Sequence, residues 1–416
     1  MICFNARRTA RGLSLIEILI ALAIGSLLVL GLVEVFAASR TSYQLSTGLA
    51  RVQENGRFAM EYLQRDLRMA GHLGCVNDQA RFLPANTSGT RLALASTFVA
   101  AGSSDFSALD PALRFDIAIR GHEANNTGTT NTVNLATVPA LAASAAAWTP
   151  AIDATMFDLM NDGAPGQPVA GSDVIELRFL VPNSVQMTAF DPAASPVTLT
   201  FDDSEGRLAE GAGATSLYGI ADCMNAAVFQ ATTSSPTGMT IAASGLNEST
   251  LTGNEAFVGG QARIHRAESV VYYIGLNARN IPSLYRLRYH AAPGTAALDA
   301  TREELVEGIE SLQLQYGQDS RTDPNQTPTG NIGTSVLASG VLPAADPVTA
   351  WRRVGAVQIG LVARSTEPAA ATQRAVGEPD VTQLSALGVT MTPPNDTLYR
   401  AVYEDTVALR NRLFGN

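Results

Sequence analysis

The strongest pattern in the chain is a long apolar run near its N-terminus. Residues 13–38 read LSLIEILIALAIGSLLVLGLVEVFAA, in which only Glu17 and Glu34 are charged. A helix needs about 20 mostly apolar residues to cross a bilayer, and this run is long enough. From Leu45 to Ala70 apolar residues then recur every three or four positions, which predicts that the helix continues with one apolar face. Gly71 is its predicted stop.

Farther along the chain, alternation of apolar and polar residues predicts strands. They cover 174–181, 197–201, a hairpin of 269–274 with 283–289, a strand through 312–316 with one buried face, 357–363, and 399–409. Thr301 and Glu304 have capping-box spacing, which predicts a short helix that ends near Gly308. A helix followed by strands indicates an α+β fold with a mainly antiparallel sheet, because alternating βαβ units are missing.

The net charge, the hydrophobic content and the placement of arginines limit the classes of protein to which the chain can belong. The chain has 28 basic and 38 acidic residues and a net charge of −10, which argues against nucleic-acid binding. Its hydrophobic content of 46% argues against wholesale disorder. Residues 1–12 contain three arginines and no acid, and the next basic residue is Arg40. By the positive-inside rule, this asymmetry predicts a cytoplasmic N-terminus.

Glu17 is the most informative residue within the apolar run. A carboxylate in the hydrocarbon costs about 2.5–3.5 kcal/mol on insertion scales, so it indicates a functional role. If the chain were cut after Gly12, the new α-amino group on Leu13 would lie four residues before Glu17. The amine of one helix could then pair with the glutamate of its neighbour. An ordinary secretory signal peptide is the alternative, but its apolar core is shorter and lacks a carboxylate.

The string RGLSLIE over residues 11–17 resembles the type IV prepilin signature: a basic leader that ends in glycine, then an apolar residue, then a glutamate at the fifth mature position. The family usually has phenylalanine where this chain has Leu13. Several later segments resemble minor pilins of the PilW family, which is related to the J-type pseudopilins of type II secretion. These segments are 49–75, 272–286, 304–316 and 407–412.

The resemblance implies a type IV pilin-like fold, with a long N-terminal helix packed on an antiparallel sheet. It implies cleavage between Gly12 and Leu13 by prepilin peptidase, N-methylation of Leu13, and a role for Glu17 in assembly. The implied function is structural: priming pilus assembly, at or near the tip. The implied partners are other minor pilins, the major pilin, the assembly machinery and the lipid bilayer. The head would lie in the periplasm, anchored in the bacterial inner membrane before it joins the fibre.

This interpretation divides the chain into four parts: a leader over 1–12, a transmembrane helix over 13–38, an amphipathic helix over 39–70, and a head over 71–416. Loop-rich insertions are expected near 85–170, 320–350 and 366–397, where small and polar residues dominate. Two alternatives stay open. One is a J-type pseudopilin, which shares the leader and fold, and the other is a membrane-anchored periplasmic enzyme or sensor.

Two cysteines, Cys75 and Cys223, would remain once Cys3 leaves with the leader. A pair of cysteines in a domain outside the cytoplasm favours one disulfide over two free thiols.

The sequence offers little for an enzyme. No cofactor and no metal ligands are predicted, because the histidines show neither HExxH nor paired metal spacing. Each histidine is expected at the surface or in a loop; they are His72, His122, His265 and His290. A Ca²⁺ site would need oxygens of the kind that Asp319, Asp323 and Asn325 could offer, but EF-hand spacing is missing. A solvated turn is the favoured interpretation there.

Overall fold

The computed structural model describes residues 14–75, 94–103, 105–209, 216–252, 257–323, 329–343, 347–369 and 383–412. The leader, the Gly12–Leu13 junction, Asn325 and parts of the predicted insertions lie outside these residues. The prediction about the cut therefore stays a prediction.

Helix α1 is the dominant element. It runs without a break over Leu15–Met69, 55 residues, and Gly71 follows its end as the sequence predicted. One window of its first half has a mean hydropathy of 2.7 and no buried residues, so α1 is long and apolar enough to cross a membrane. Two short helices, α2 (Ala154–Met160) and α3 (Pro347–Arg352), lie in segments predicted as loops.

Most other elements are strands. In chain order, the described strands are β1 (Leu94–Ser96), β2 (Ile119–Ala124), β3 (Thr132–Asn134), β4 (Trp148–Thr149), β5 (Gln167–Pro168), β6 (Val174–Asp191), β7 (Val197–Phe201), β8 (Leu217–Ala221), β9 (Ala226–Gln230), β10 (Thr233–Ser235), β11 (Gly238–Ile241), β12 (Arg263–Leu276), β13 (Pro282–His290), β14 (Asp299–Glu307), β15 (Ile309–Asp319), β16 (Ile332–Val336), β17 (Val354–Arg364), β18 (Leu384–Ala386), β19 (Val389–Thr392) and β20 (Arg400–Ala408).

The strands form three sheets. The largest follows the order β1-β9-β8-β12-β6-β7-β11-β10, with β13, β14, β2, β4 and β5 attached at its sides. A second has the order β16-β15-β17-β20, and a third the order β18-β19-β3. Most pairs are antiparallel; β1 with β9 and β19 with β3 are parallel. The structure therefore confirms the predicted α+β class, a long apolar helix followed by a sheet-rich head.

The apolar stripe of α1 packs against both larger sheets. Val52, Ala59, Leu63 and Leu67 are fully buried, in one cluster with side chains of β6, β12, β15 and β17. The helix thus bridges the two sheets and forms part of the main core. Burial of each valine or leucine side chain among them contributes about 1.5–3 kcal/mol, so the second half of α1 is held firmly to the head.

Several predictions were wrong. The short helix expected from Thr301 to Gly308 is strand β14, because its residues pair with β13 over their whole length. Gly308 has a φ of +79° and makes the turn into β15. Strand β15 is buried on both faces, where one was expected. In their described parts, the expected loop over 320–350 contains β16 and the start of α3, and the expected loop over 366–397 contains β18 and β19.

Candidate functional site

The N-terminal end of α1 places the carboxylate of Glu17 beside the start of the helix. The backbone N–H of Ser14 points to Glu17 Oε2 at 3.5 Å, and the N–H of Glu17 donates to the Ser14 carbonyl at 3.0 Å. A carboxylate in the first turn is favoured by the helix dipole and by the unpaired N–H groups there. It lies close to the position in the chain where cleavage would create an α-amino group.

The first half of α1 is an apolar surface with no cover from the described part of the head. Its large apolar side chains from Leu15 to Phe36 are between 47% and 76% exposed. Soluble monomers rarely expose an apolar area of this length. A bilayer or the helices of neighbouring subunits can cover it, and the same surface suits both because neither requires polar groups.

The second half of α1 is joined to the head through a glycine. A Cβ at Gly56 would lie 2.3 Å from Cε2 of Tyr403 on β20, so any side chain there would collide with the ring. The Tyr403 hydroxyl donates to the Val52 carbonyl at 3.2 Å. The neighbouring Asn55 Nδ2 donates to the Glu307 carbonyl at 2.8 Å. A glycine that weakens the helix locally is thus required for close packing.

Near its end, α1 carries a buried carboxylate. Asp66 is 4% exposed and accepts a hydrogen bond from the Tyr272 hydroxyl at 2.5 Å. Arg65 Nε donates to Oδ1 of Asp66 at 3.0 Å, and Arg286 lies 3.4 Å from Oδ2. Burial, together with the Asp66 charge, raises the pKa of Tyr272 well above its usual value, so the phenol stays a donor. The apolar pattern alone did not predict this site, although an acidic residue beside Leu67 in the apolar stripe was a signal for it.

A disulfide lies just beyond α1. Cys75 and Cys223 are joined, with their Cα atoms 4.6 Å apart and a sequence separation of 148. Cys75 follows the helix by six positions, and Cys223 lies between β8 and β9. The bond therefore ties the end of the helix to the largest sheet. This is the disulfide that the sequence predicted from two cysteines in a domain expected outside the cytoplasm.

Two of the histidines contradict the expectation of surface or loop positions. His122 on β2 is 1% exposed and His265 on β12 is 4% exposed. His122 Nε2 lies 2.7 Å from Glu176 Oε1. Burial opposes ionisation of Glu176, but Arg178 and His122 outweigh it and lower the pKa of Glu176 to about 2. Burial lowers the pKa of His265 to about 4, which keeps it neutral. A histidine that alternates with apolar strand residues is the signal for such positions.

The two suggested calcium ligands that the structure describes, Asp319 and Asp323, have hydrogen-bond partners within the head. Asp319 is 2% exposed, so the expectation of a solvated turn was wrong. Its carboxylate accepts backbone N–H groups of Arg321, Thr329 and Gly330 at 2.6–2.8 Å. Asp323 offers its carbonyl to Arg353 at 2.8 Å. Over the described ranges, no three His, Cys, Asp or Glu residues are grouped closely enough to hold a metal ion.

Comparison with known families agrees with this architecture. Residues 271–411, from β12 past β20, match the family model described as type IV pilus-assembly protein W. Residues 7–33 match the prokaryotic N-terminal methylation motif. No curated protein and no solved structure matches significantly. With the methylation motif at one end and a PilW domain at the other, the chain has the two features of a PilW-family type IV minor pilin.

Proposed function

We propose that this protein is a minor pilin that primes assembly of a type IV pilus and stands at or near its tip. One combination carries the proposal: a prepilin-type motif and a PilW match in a chain whose α1 is apolar and exposed over its first half. The apolar half of α1 would store each subunit in the bilayer and later pack among other helices in the fibre. The head would lie in the periplasm, and residues 1–12 in the cytoplasm.

Processing and partners follow from the same combination. Prepilin peptidase would cut between Gly12 and Leu13 and methylate the new amine. Glu17 would then pair with that amine, within one subunit or between neighbours, and set the register of the helices. The other partners would be fellow minor pilins, the major pilin and the assembly machinery. The role is structural and not catalytic, in keeping with the structural character of the matched family.

The test is the intact mass of the protein from cells with and without prepilin peptidase. We expect the mature chain to lack residues 1–12 and to carry one extra methyl group only when the peptidase is present. Gly12→Trp should keep the leader, because the peptidase must approach the backbone at the cut. Gly25→Trp is the matched control and should be processed, since a Cβ at Gly25 meets nothing within 4 Å.

Cells that carry only Gly12→Trp should lose surface pili, while protein secretion stays normal. An unchanged mature mass for Gly12→Trp would contradict the cut site. Loss of secretion with normal piliation would instead favour a J-type pseudopilin.

A further inference from the structure

Asp173, the residue before β6, joins the two larger sheets. One of its carboxylate oxygens accepts the backbone N–H of Ala124 on β2, and the other accepts that of Leu314 on β15, both at 2.8 Å. Strand β2 belongs to the largest sheet and β15 to the second. Glu123, beside Ala124, is hydrogen-bonded to Asp173. A change of charge on this carboxyl pair therefore acts at the junction between the sheets.

The Tyr316 hydroxyl lies beside the pair and has no hydrogen-bond partner among the described residues, although Tyr316 is 1% exposed. It lies over Gly121, where any Cβ would collide with it. Side chains two positions apart on a strand project from the same face, so Glu123 stands on the face of β2 that this hydroxyl meets. Glu123 Oε1 accepts the Thr127 hydroxyl, whereas no N–H or hydroxyl of the described residues donates to Oε2.

The charges at this junction are set by burial. Burial raises the pKa of Glu123 to about 7. Burial, followed by the Glu123 charge, raises the pKa of Asp173 well above its usual value, so Asp173 keeps its proton when Glu123 ionises. Burial also raises the pKa of Tyr316 well above its usual value, and the nearby carboxylates, Glu176 on β6 among them, add to this. The phenol therefore stays a donor. His122 projects from the opposite face of β2 and pairs with Glu176.

Both tryptophans of the chain contact this junction. The Trp351 ring on α3 meets the Tyr316 ring edge to face, with centroids 4.9 Å apart and an angle of 87° between the planes. Trp148 Nε1 on β4 donates to the carbonyl of Ser172, next to Asp173, at 2.8 Å. Both indoles are buried. A movement of the Tyr316 ring therefore changes the surroundings of Trp351 directly.

We propose that Glu123, Asp173 and Tyr316 form a proton-controlled junction between the two larger sheets. When Glu123 releases its proton to water, its charged Oε2 needs a further donor, because an ionised oxygen in the protein interior is costly without one. The Tyr316 hydroxyl turns onto Oε2 and the ring shifts against Trp351. When the proton returns, the hydroxyl is released. The head thus has two states that differ where its sheets meet, and this proposal does not rest on the proposed function.

The test is tryptophan fluorescence of the full chain in non-ionic detergent, between pH 5 and 8 and without denaturant. Glu123→Gln cannot ionise, and Tyr316→Phe keeps the ring but removes the donor. Glu61→Gln is the matched control, because Glu61 is exposed on α1. Far-UV circular dichroism at each pH checks that every variant stays folded. Histidines change charge in this range too, but they are the same in all four chains.

We expect the emission of the parent chain and of Glu61→Gln to change in one step with a midpoint near pH 7. Glu123→Gln should lose this step. Tyr316→Phe should move the midpoint upward by about one pH unit and reduce the amplitude, because the ionised carboxylate then lacks its donor and the ring has no reason to turn.

Three results would overturn the proposal. They are a parent chain without the step, a step in Glu123→Gln as large as in the parent, and a midpoint and amplitude in Tyr316→Phe equal to those of the parent. None of these outcomes depends on leader cleavage or piliation.

Discussion

Glu123 and Asp173 form a pair of buried carboxyl groups where β2, β6 and β15 meet. Asp173 accepts the backbone N–H groups of Ala124 and Leu314, both at 2.8 Å. Glu123 accepts the Thr127 hydroxyl at 3.1 Å and is hydrogen-bonded to Asp173. Burial raises the pKa of Glu123 to about 7, and burial with the Glu123 charge raises that of Asp173 well above its usual value. The pair therefore holds protons at a pH where exposed carboxyl groups have lost theirs.

This pair predicts a pH dependence of stability. Between its unfolded pKa of about 4.5 and its native pKa of about 7, Glu123 binds more protons in the native state than in the unfolded state. The free energy of unfolding should therefore fall as pH rises through that window, by a few kcal/mol. Glu123→Gln keeps a hydrogen bond to Asp173 without a proton to lose. We expect the free energy of unfolding of Glu123→Gln to fall less steeply with pH than that of the parent chain. The stability of the variant relative to the parent should therefore increase as pH rises.

Denaturant unfolding at a series of pH values between 4 and 8 measures this effect. Glu61→Gln is the matched control, because Glu61 is exposed on α1. A Glu123→Gln profile that runs parallel to the parent profile would contradict the argument.

Residue type was a good guide to chemistry and a poor guide to burial. The two cysteines were predicted to pair from their number and from the expected position of the head outside the cytoplasm. Asp66, His122 and Asp319 are polar and were not expected in the core, yet all three are buried, and Asp66 and His122 have hydrogen-bond partners that are distant in the sequence. Asp66 meets Tyr272 across 206 positions. Such partners cannot be found from local pattern, because the pattern specifies which face is apolar and not what lies opposite.

At the scale of elements, long periodic segments were predicted well. The helix was expected over 13–70 and is described over Leu15–Met69; the strand expected over 197–201 is β7. Short local signals failed. The capping-box spacing of Thr301 and Glu304 was outweighed by pairing of the whole segment with β13, where Arg286 and Glu303 lie opposite each other. Tertiary pairing outweighs a cap because a cap contributes only about 1 kcal/mol.

The disulfide that links the end of α1 to the largest sheet predicts a measurable contribution to stability. The Cys75–Cys223 bond closes a loop of 148 positions, and closing long loops restricts the unfolded chain most. The double variant Cys75→Ser/Cys223→Ser should lose about 2–4 kcal/mol of unfolding free energy. Reductant should destabilise the parent chain by a similar amount and leave the double variant unchanged. Equal denaturation midpoints for the oxidised parent and the double variant would contradict a stabilising bond.

At the scale of the whole molecule, the sequence predicted the parts but not the connections between them. The periodicity of apolar residues predicted a helix followed by an antiparallel head. The branching of the largest sheet was not: β12 pairs along one edge with β6, and along the other with β8 and then β13. Strand β8 and its own partner β9 were not predicted, because each is an apolar run of only five residues between stretches rich in Ala, Ser, Thr and Gly. All residues of both strands are buried, but so short a run does not show which strand it pairs with.

The contrast between the exposed apolar half of α1 and its packed second half leads to the last prediction, for Glu17. Two carboxylates interrupt the exposed apolar half of α1, and only Glu17 lies in the first turn, beside the proposed cut. If its role is to pair with the new amine, Glu17→Ala should insert and lose its leader but assemble poorly. Glu34→Ala removes the same charge from the same helix at a position far from any amine, so it should assemble normally.

The measurement is the amount of each variant in sheared pilus fractions relative to the membrane fraction, in cells that have no other copy of the gene. Intact mass confirms cleavage of both variants. If pili contain a normal amount of the Glu17→Ala variant, Glu17 does not set the register of the helices. Equal defects in both variants would mean that negative charge in the apolar run, and not pairing at its first turn, is what assembly requires. A defect confined to Glu17→Ala would support pairing with the amine, because the two variants differ only in the position of the lost charge along one helix.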